Sequence, residues 1–236
     1  MRPPGDSPVR IVEFHDVVCV WCWLSAGRLR QVAAEFGDAV TVAGKVFLLA
    51  PDEASALARW PDHGARTAAI LAGWRRAKAE PDGEAVDPDL AARRLARLPC
   101  SLPAAEAVKG AEEVAGMAGH LILFRRLQEA LFLEGRDVGD PGVLLQAAAA
   151  VGIDPTPLAV GLETGAFLAD ARADDAGARA LGLNGVPAVV FDERWTLVGA
   201  ASLDRYRAVV RALLEGREPE GCGDLDAPEP LPALRP

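Results

Sequence analysis

The chain has 236 residues, half of them hydrophobic and a quarter charged, with a formal net charge of -9. That length suits one medium domain, or one domain carrying a large insertion, with enough apolar material for a substantial core. The acidic balance excludes a sequence-independent nucleic-acid binder held by a basic surface, and the absence of any run of about 18 apolar residues excludes a membrane-spanning helix. Residues 1–8 are polar and proline-rich and lack the apolar stretch of a signal peptide, so a cytoplasmic location is expected.

Residues 9–18 (VRIVEFHDVV) combine β-branched and aromatic side chains and predict a strand. From Trp23 the period changes. Leu24, Leu29, Val32, Ala33 and Phe36 recur at helical spacing, and Gly37 is a natural stop. Residues 39–49 predict a second strand, and a helical connection to it implies a right-handed βαβ unit with parallel strands. Pro51 opens a long stretch with no convincing strand. Helices are predicted over 65–79, then 88–98 with Asp87 as N-cap and Pro88 at the first helical position. A long helix follows over 103–133, or two broken near 116–119. Further helices cover 141–151 behind Asp140, 154–165 and 168–181. Strand signals return at 188–191 (AVVF) and 195–198, joined by a tight turn at 192–194 into an antiparallel hairpin. Residues 202–214 form a closing helix with Ser202 as N-cap, and beyond Gly216 the Pro-, Gly- and acid-rich chain predicts a loosely draped or disordered tail.

The order β-α-β, helical block, β-β-α describes an α/β, thioredoxin-like fold with a large all-helical insertion domain. Residues 9–50 and 182–216 make the thioredoxin-like part, 51–181 the insertion and 217–236 the flexible tail.

There are four cysteines, and Cys19 and Cys22 form the motif Cys19-Val20-Trp21-Cys22. A structural zinc site normally needs four ligands, and no second close pair exists, since Cys100 and Cys222 are isolated. No metal is therefore expected. The motif falls where a strand ends and a helix begins, beside unpaired N–H groups and the positive end of the helix dipole. Both favour the thiolate, which is the attacking form. Cys19, at the lip, is the expected nucleophile; Cys22, one turn in, is expected to resolve the mixed disulfide.

Two more residues belong with the pair. Pro187, in Asn184-Gly185-Val186-Pro187 before the AVVF strand, is expected to follow a cis peptide and to set the backbone of Val186 and Pro187 beside the cysteines, where it meets an extended substrate. Glu13 lies six residues before Cys19 on the first strand. On a strand covered on both faces its carboxyl would be buried below the cysteines, able to move protons to and from Cys22; the alternative is that it reaches solvent or pairs with an Arg. Val20 and Trp21 are expected at the substrate surface, while Trp23 reads as core packing. Of the three histidines only His15 is near the pair, and it reads as a core or surface residue.

The segment VEFHDVVCVWCWLSAGRL resembles the N-terminal motif of the DsbA-like thioredoxin family, FrnE-type branch; LFLEGRDVGDP and LGLNGVPAVVFDERWTLVGA are similar to further segments of that branch. The resemblance runs to about Leu214. It implies thiol-disulfide oxidoreductase activity, with Cys19 and Cys22 on the redox pair, Pro187 on the cis-proline and Glu13 on the buried acid. Val20 stands where the branch usually has Pro, and neither intervening residue is His. A disulfide more reducing than that of strongly oxidising relatives is therefore expected.

The expected function is a thiol-disulfide oxidoreductase or isomerase with no bound cofactor. It would act on a disulfide-containing protein or small thiol, exchange electrons with a thiol reductant or oxidant, and bind neither nucleic acid nor membrane. The helical insertion offers a face for a homodimer. Two alternatives stay open: a glutathione-dependent isomerase or transferase of the kappa or 2-hydroxychromene-2-carboxylate isomerase type, and a non-catalytic peptide-binding protein on the same fold.

Overall fold

The alternation of Val9, Ile11 and Glu13 with Arg10, Val12 and Phe14 puts two different faces on the first strand, and each is covered by helices. The computed structural model of the protein describes residues 7–58, 60–83 and 85–226. The five strands among them run β1 (Val9–His15), β2 (Val40–Val46), β3 (Ala188–Phe191), β4 (Trp195–Val198) and β5 (Gly223–Asp224), in the sheet order β2-β1-β3-β4-β5. β1 is parallel to β2, with Val9 opposite Val40 and His15 opposite Val46, and antiparallel to β3, with Glu13 opposite Val189. The β3–β4 hairpin turns through Asp192 and Glu193, both at positive φ (47° and 61°), which matches the strand twist as a two-residue primed turn does. This is the mixed α/β thioredoxin-like sheet that the element order implies.

Helix α1 (Val20–Phe36) crosses from β1 to β2 and packs with α9 (Leu203–Leu214) over one face. Ile11, Val189 and Phe191 there meet Leu29, Val32, Tyr206 and Val209. The alternate residues Phe14, Ala188 and Val190 point into the larger core that the helices between β2 and β3 complete. Those helices are α2 (Glu53–Leu57), α3 (His63–Lys78), α4 (Pro88–Arg94), α5 (Ser101–Phe132), α6 (Pro141–Ala150), α7 (Pro155–Thr164) and α8 (Leu168–Ala180). The predicted caps hold: Asp87, Asp140 and Ser202 each accept from a first-turn N–H. Trp74 and Phe132 meet edge to face at 4.7 Å in the centre of the insertion.

Helix α5 carries one sharp break. Ala115 and Gly116 leave helical geometry, and Gly116 sits at φ 65°, a conformation open to glycine. The halves then fold close together, since a Cβ on Gly119 would stand 2.4 Å from the Ala111 carbonyl oxygen.

Two expectations are corrected. β1 stops at His15, not at residue 18, because Asp16 captures the Val18 N–H and turns the chain toward α1. The expected flexible tail is partly ordered: Gly223–Asp224 pair with β4, and Asp224 accepts from Nε and Nη2 of Arg194. Residues 227–236 of that tail, and residues 1–6 of the polar start, lie outside the described residues. Among the described residues no helix is long and apolar enough to cross a membrane.

Candidate active site

The end of β1 delivers the CxxC to the N-terminus of α1. Cys19 is the N-cap, extended at φ -91° and ψ 110°, and its carbonyl accepts from Cys22 N at 3.0 Å and Trp23 N at 3.3 Å. All four cysteines are thiols. Cys19 is 6% exposed and Cys22 is fully enclosed at 0%. Burial pushes the Cys22 thiol up, and the neighbouring Cys19 and Glu13 push the same way.

The loop before β3 closes the site from the other side. The Val186–Pro187 peptide is cis, and Cys19 Sγ lies 3.5 Å from the Val186 carbonyl oxygen. Residues 167 positions apart thus meet at one sulfur.

Glu13 is buried beneath the pair, on the face that α1 and α9 cover. Burial pushes its carboxyl up to about 8, against the pull of the Ser25 hydroxyl and of the Arg30 guanidinium. Its Oε2 lies 3.2 Å from His15 Nδ1, while Oε1 has no hydrogen-bond partner. Ser25 Oγ shares a hydrogen bond with Tyr206 Oη at 2.9 Å in the same layer.

Of the residues expected at the substrate surface, Val186 and Pro187 stand beside Cys19, and Trp21 is half-buried at the rim. Val20 is buried at 4% exposure, because the first turn of α1 directs it into the core, so it offers no surface contact. Trp23 packs edge to face on Phe132 at 6.4 Å. Cys100 caps the N-terminus of α5, and Cys222 lies 3.8 Å from Arg205 Nη2.

Sequence reading missed Asp16. Its Oδ1 accepts from Val18 N, and its Oδ2 from Leu49 N and the Ser101 hydroxyl, while its carbonyl accepts from Cys19 N at 3.1 Å. It fixes the loop on which Cys19 sits. An acid three residues before a CxxC, at a strand end, was the available signal. Among the described residues no cluster of His, Cys, Asp and Glu is arranged to hold a metal.

The family model for the DsbA-like thioredoxin domain matches residues 10–211, and the chain belongs to that family. A search of curated proteins finds no match. Among solved structures, a Nitrosomonas europaea protein provisionally assigned as a protein disulfide isomerase superposes with a TM-score of 0.70 at 18% identity, over 89% of this chain and 97% of that one. The cytosolic disulfide reductase DsbM of Pseudomonas aeruginosa gives 0.61 at 22% identity, over 88% and 97%. A 2-hydroxychromene-2-carboxylate isomerase gives 0.59 at 14% identity, over 86% and 94%. At these identities the likeness is one of fold.

Proposed function

We propose that this protein is a thiol-disulfide oxidoreductase whose redox pair is Cys19 and Cys22. The observation that carries the reading is the disposition of the two sulfurs: one at the helix N-cap against the Val186 carbonyl, the other a turn deeper and enclosed beside a buried acid. The Cys19 thiolate attacks one sulfur of a substrate disulfide, forms a mixed disulfide and expels the other sulfur as thiolate. Cys22 gives its proton to the Glu13 carboxylate and attacks Cys19 Sγ. The second substrate thiolate leaves, and the Cys19–Cys22 disulfide holds the oxidation that the substrate has lost. Two molecules of a small thiol restore the dithiol and become a disulfide. The cycle needs no bound cofactor or metal.

The backbone at Val186 and Pro187 takes the extended substrate, and Trp21 supplies an apolar rim. In a cytosolic setting, such as that named for DsbM, the glutathione poise drives the pair toward net reduction of substrate disulfides. DsbM has also been solved with GSH, which makes glutathione the small thiol to try first.

The test is equilibration of the protein in buffers of reduced and oxidised glutathione, with Cys22→Ser as control. A single two-electron transition that disappears in the variant, together with a trapped Cys19 mixed disulfide, supports the reading. Failure to form a reversible disulfide in any buffer overturns it and favours the isomerase or the non-catalytic alternative.

A further inference from the structure

Glu13 is the first member of a longer chain of polar groups, and the exchange steps above use none of the others. His15 Nδ1 lies 3.2 Å from Glu13 Oε2, His15 Nε2 lies 2.9 Å from His120 Nε2, and His120 Nδ1 lies 2.8 Å from Glu112 Oε2. Both imidazoles are 0% exposed, whereas the Glu112 side chain is 29% exposed. The chain therefore runs from the buried acid under Cys22 to solvent. We propose that Glu13, His15, His120 and Glu112 form a proton relay that carries the proton of Cys22 to water at Glu112 and returns it in the reverse reaction. The inference rests on the oxidoreductase reading above.

The surroundings are shaped for this path. Phe124 stacks on His15 at 3.6 Å and 7°, which fixes the ring plane. Opposite Glu13 on β2 stands Gly44, where a Cβ would come within 2.5 Å of His120 Nε2 and 2.6 Å of His15 Cε1. Only the absence of a side chain leaves room for the imidazole pair. Residues 112 and 120 would lie about 12 Å apart along a straight helix. The break at Gly116 brings their side chains into hydrogen-bond contact.

Hydrogen-bond bookkeeping sets the direction of the chain. Glu112 faces Lys109 Nζ at 2.6 Å as well as His120, and these two hold its carboxyl at about 2, so it is ionised and accepts. His120 must then carry its proton on Nδ1 and offer a lone pair at Nε2. His15 must donate from Nε2, which leaves Nδ1 as an acceptor, so Glu13 must be the protonated donor at the buried end. Burial holds His15 at about 3 and His120 at about 4, so neither ring readily becomes an imidazolium. A concerted shift avoids that charge. The Glu13 proton passes to His15 Nδ1, the His15 Nε2 proton to His120 Nε2, and the His120 Nδ1 proton to Glu112, which gives it to water. Each ring exchanges one neutral tautomer for the other, and Glu13 is left as the carboxylate that accepts the Cys22 proton. The other charged and polar groups facing the chain are Arg30 and Ser25 of α1, Tyr206 of α9, Lys109 of α5, Asp174 of α8 and Lys45 of β2.

The full-length protein provides the test. A wild-type pair without a reversible disulfide removes the oxidoreductase reading and the relay together. With a working pair, rapid mixing with oxidised glutathione separates Cys19 attack from closure by Cys22. In Glu112→Gln and His120→Gln the closure rate should fall about a hundredfold, the lower range of general acid–base contributions, with Cys19 alkylation unchanged. Closure at the wild-type rate in both variants overturns the relay and leaves the oxidoreductase standing. Should either variant fail to fold, nitrogen-15 NMR of the wild-type histidines decides. Below the Glu13 value of about 8, His15 should be protonated at Nε2 and His120 at Nδ1, with both exchanged above it. An imidazolium at neutral pH, or tautomers that do not exchange, refutes the proposal.

Discussion

The Ser101 hydroxyl donates to Asp16 Oδ2 at 2.5 Å and accepts from the Ala50 N–H at 3.0 Å, so one side chain at the start of α5 ties the Cys19 loop to the segment after β2. All three groups are buried. Ser101→Ala orphans the Ala50 donor and removes one of three donors to Asp16, whose carboxyl burial already raises to about 6. At roughly 1–3 kcal/mol per buried group left unpaired, a loss of about 2–4 kcal/mol is expected. Denaturant unfolding checks it, and an unchanged midpoint would show that water replaces the hydroxyl.

The Asp16 and His15 cases mark where local pattern stops being informative. The β1–α1–β2 unit and the β3–β4 hairpin were legible because their apolar residues repeat at strand or helix period within a short window. The helix α5 break was legible from Gly116. The apolar period of α1 shows only from Trp23, three residues inside the helix, because Cys19 caps without a side-chain hydrogen bond and leaves no capping signature. Strand β5 is two residues of Gly and Asp held by Arg194, thirty positions earlier, and no local propensity encodes that. His15 and His120 lie 105 residues apart, and only the folded backbone brings them together.

Arg28 is a second long-range fastener. From α1 its Nε and Nη2 reach Asp82 at 2.7 and 2.6 Å, and its Nη1 reaches the carbonyls of Ala200 and Ala201, both at 3.0 Å. The fork joins the active-site helix to the turn after α3 and to the segment before α9. Arg28→Met leaves Asp82 and two carbonyls without their donor. Because Asp82 is a third exposed, the cost falls below that of a fully buried pair, at about 2–3 kcal/mol. Arg28→Lys keeps the charge but not the planar fork, and should recover only part of the loss. A Lys variant as stable as wild type in guanidinium would refute the argument from geometry.

Cys19 and Cys22 should differ in chemical access. Cys22 is fully enclosed at 0% exposure and its thiol is pushed up by burial, while the buried Cys19 keeps 6% of its surface open to solvent. Reduced native protein treated with iodoacetamide at neutral pH should therefore be alkylated at Cys19 well before Cys22, with peptide mass spectrometry as the readout. Equal labelling of the two would mean that the first turn of α1 opens readily, and would remove the distinction between attacking and resolving sulfur.

Stability should carry the imprint of Glu13. Its carboxyl titrates near 4.5 when unfolded and at about 8 in the fold, so between those values the folded state binds more protons than the unfolded one and stability falls as pH rises. The full window corresponds to about 5 kcal/mol, of which about 2 kcal/mol falls between pH 6.5 and 8. His15 and His120 act in the opposite sense. Held at about 3 and about 4, they lose stability only as pH drops below the ordinary imidazole value near 6.5. Asp16, raised to about 6, is mostly ionised by then, and its remaining slope is small beside that of Glu13. Above pH 6.5, Glu13 is thus the dominant sloping contribution among these buried groups. Glu13→Gln mimics the protonated acid: its amide can donate to His15 Nδ1 as the carboxyl proton does, but it cannot ionise. The variant should match wild type in stability only below about pH 4.5, gain a further advantage of about 2 kcal/mol between pH 6.5 and 8, and close the Cys19–Cys22 disulfide far more slowly, because no carboxylate is left to take the Cys22 proton. Parallel unfolding curves for the two proteins across pH 6.5 to 8 would show that Glu13 is ionised in the fold and would reverse its assigned role as the buried proton donor.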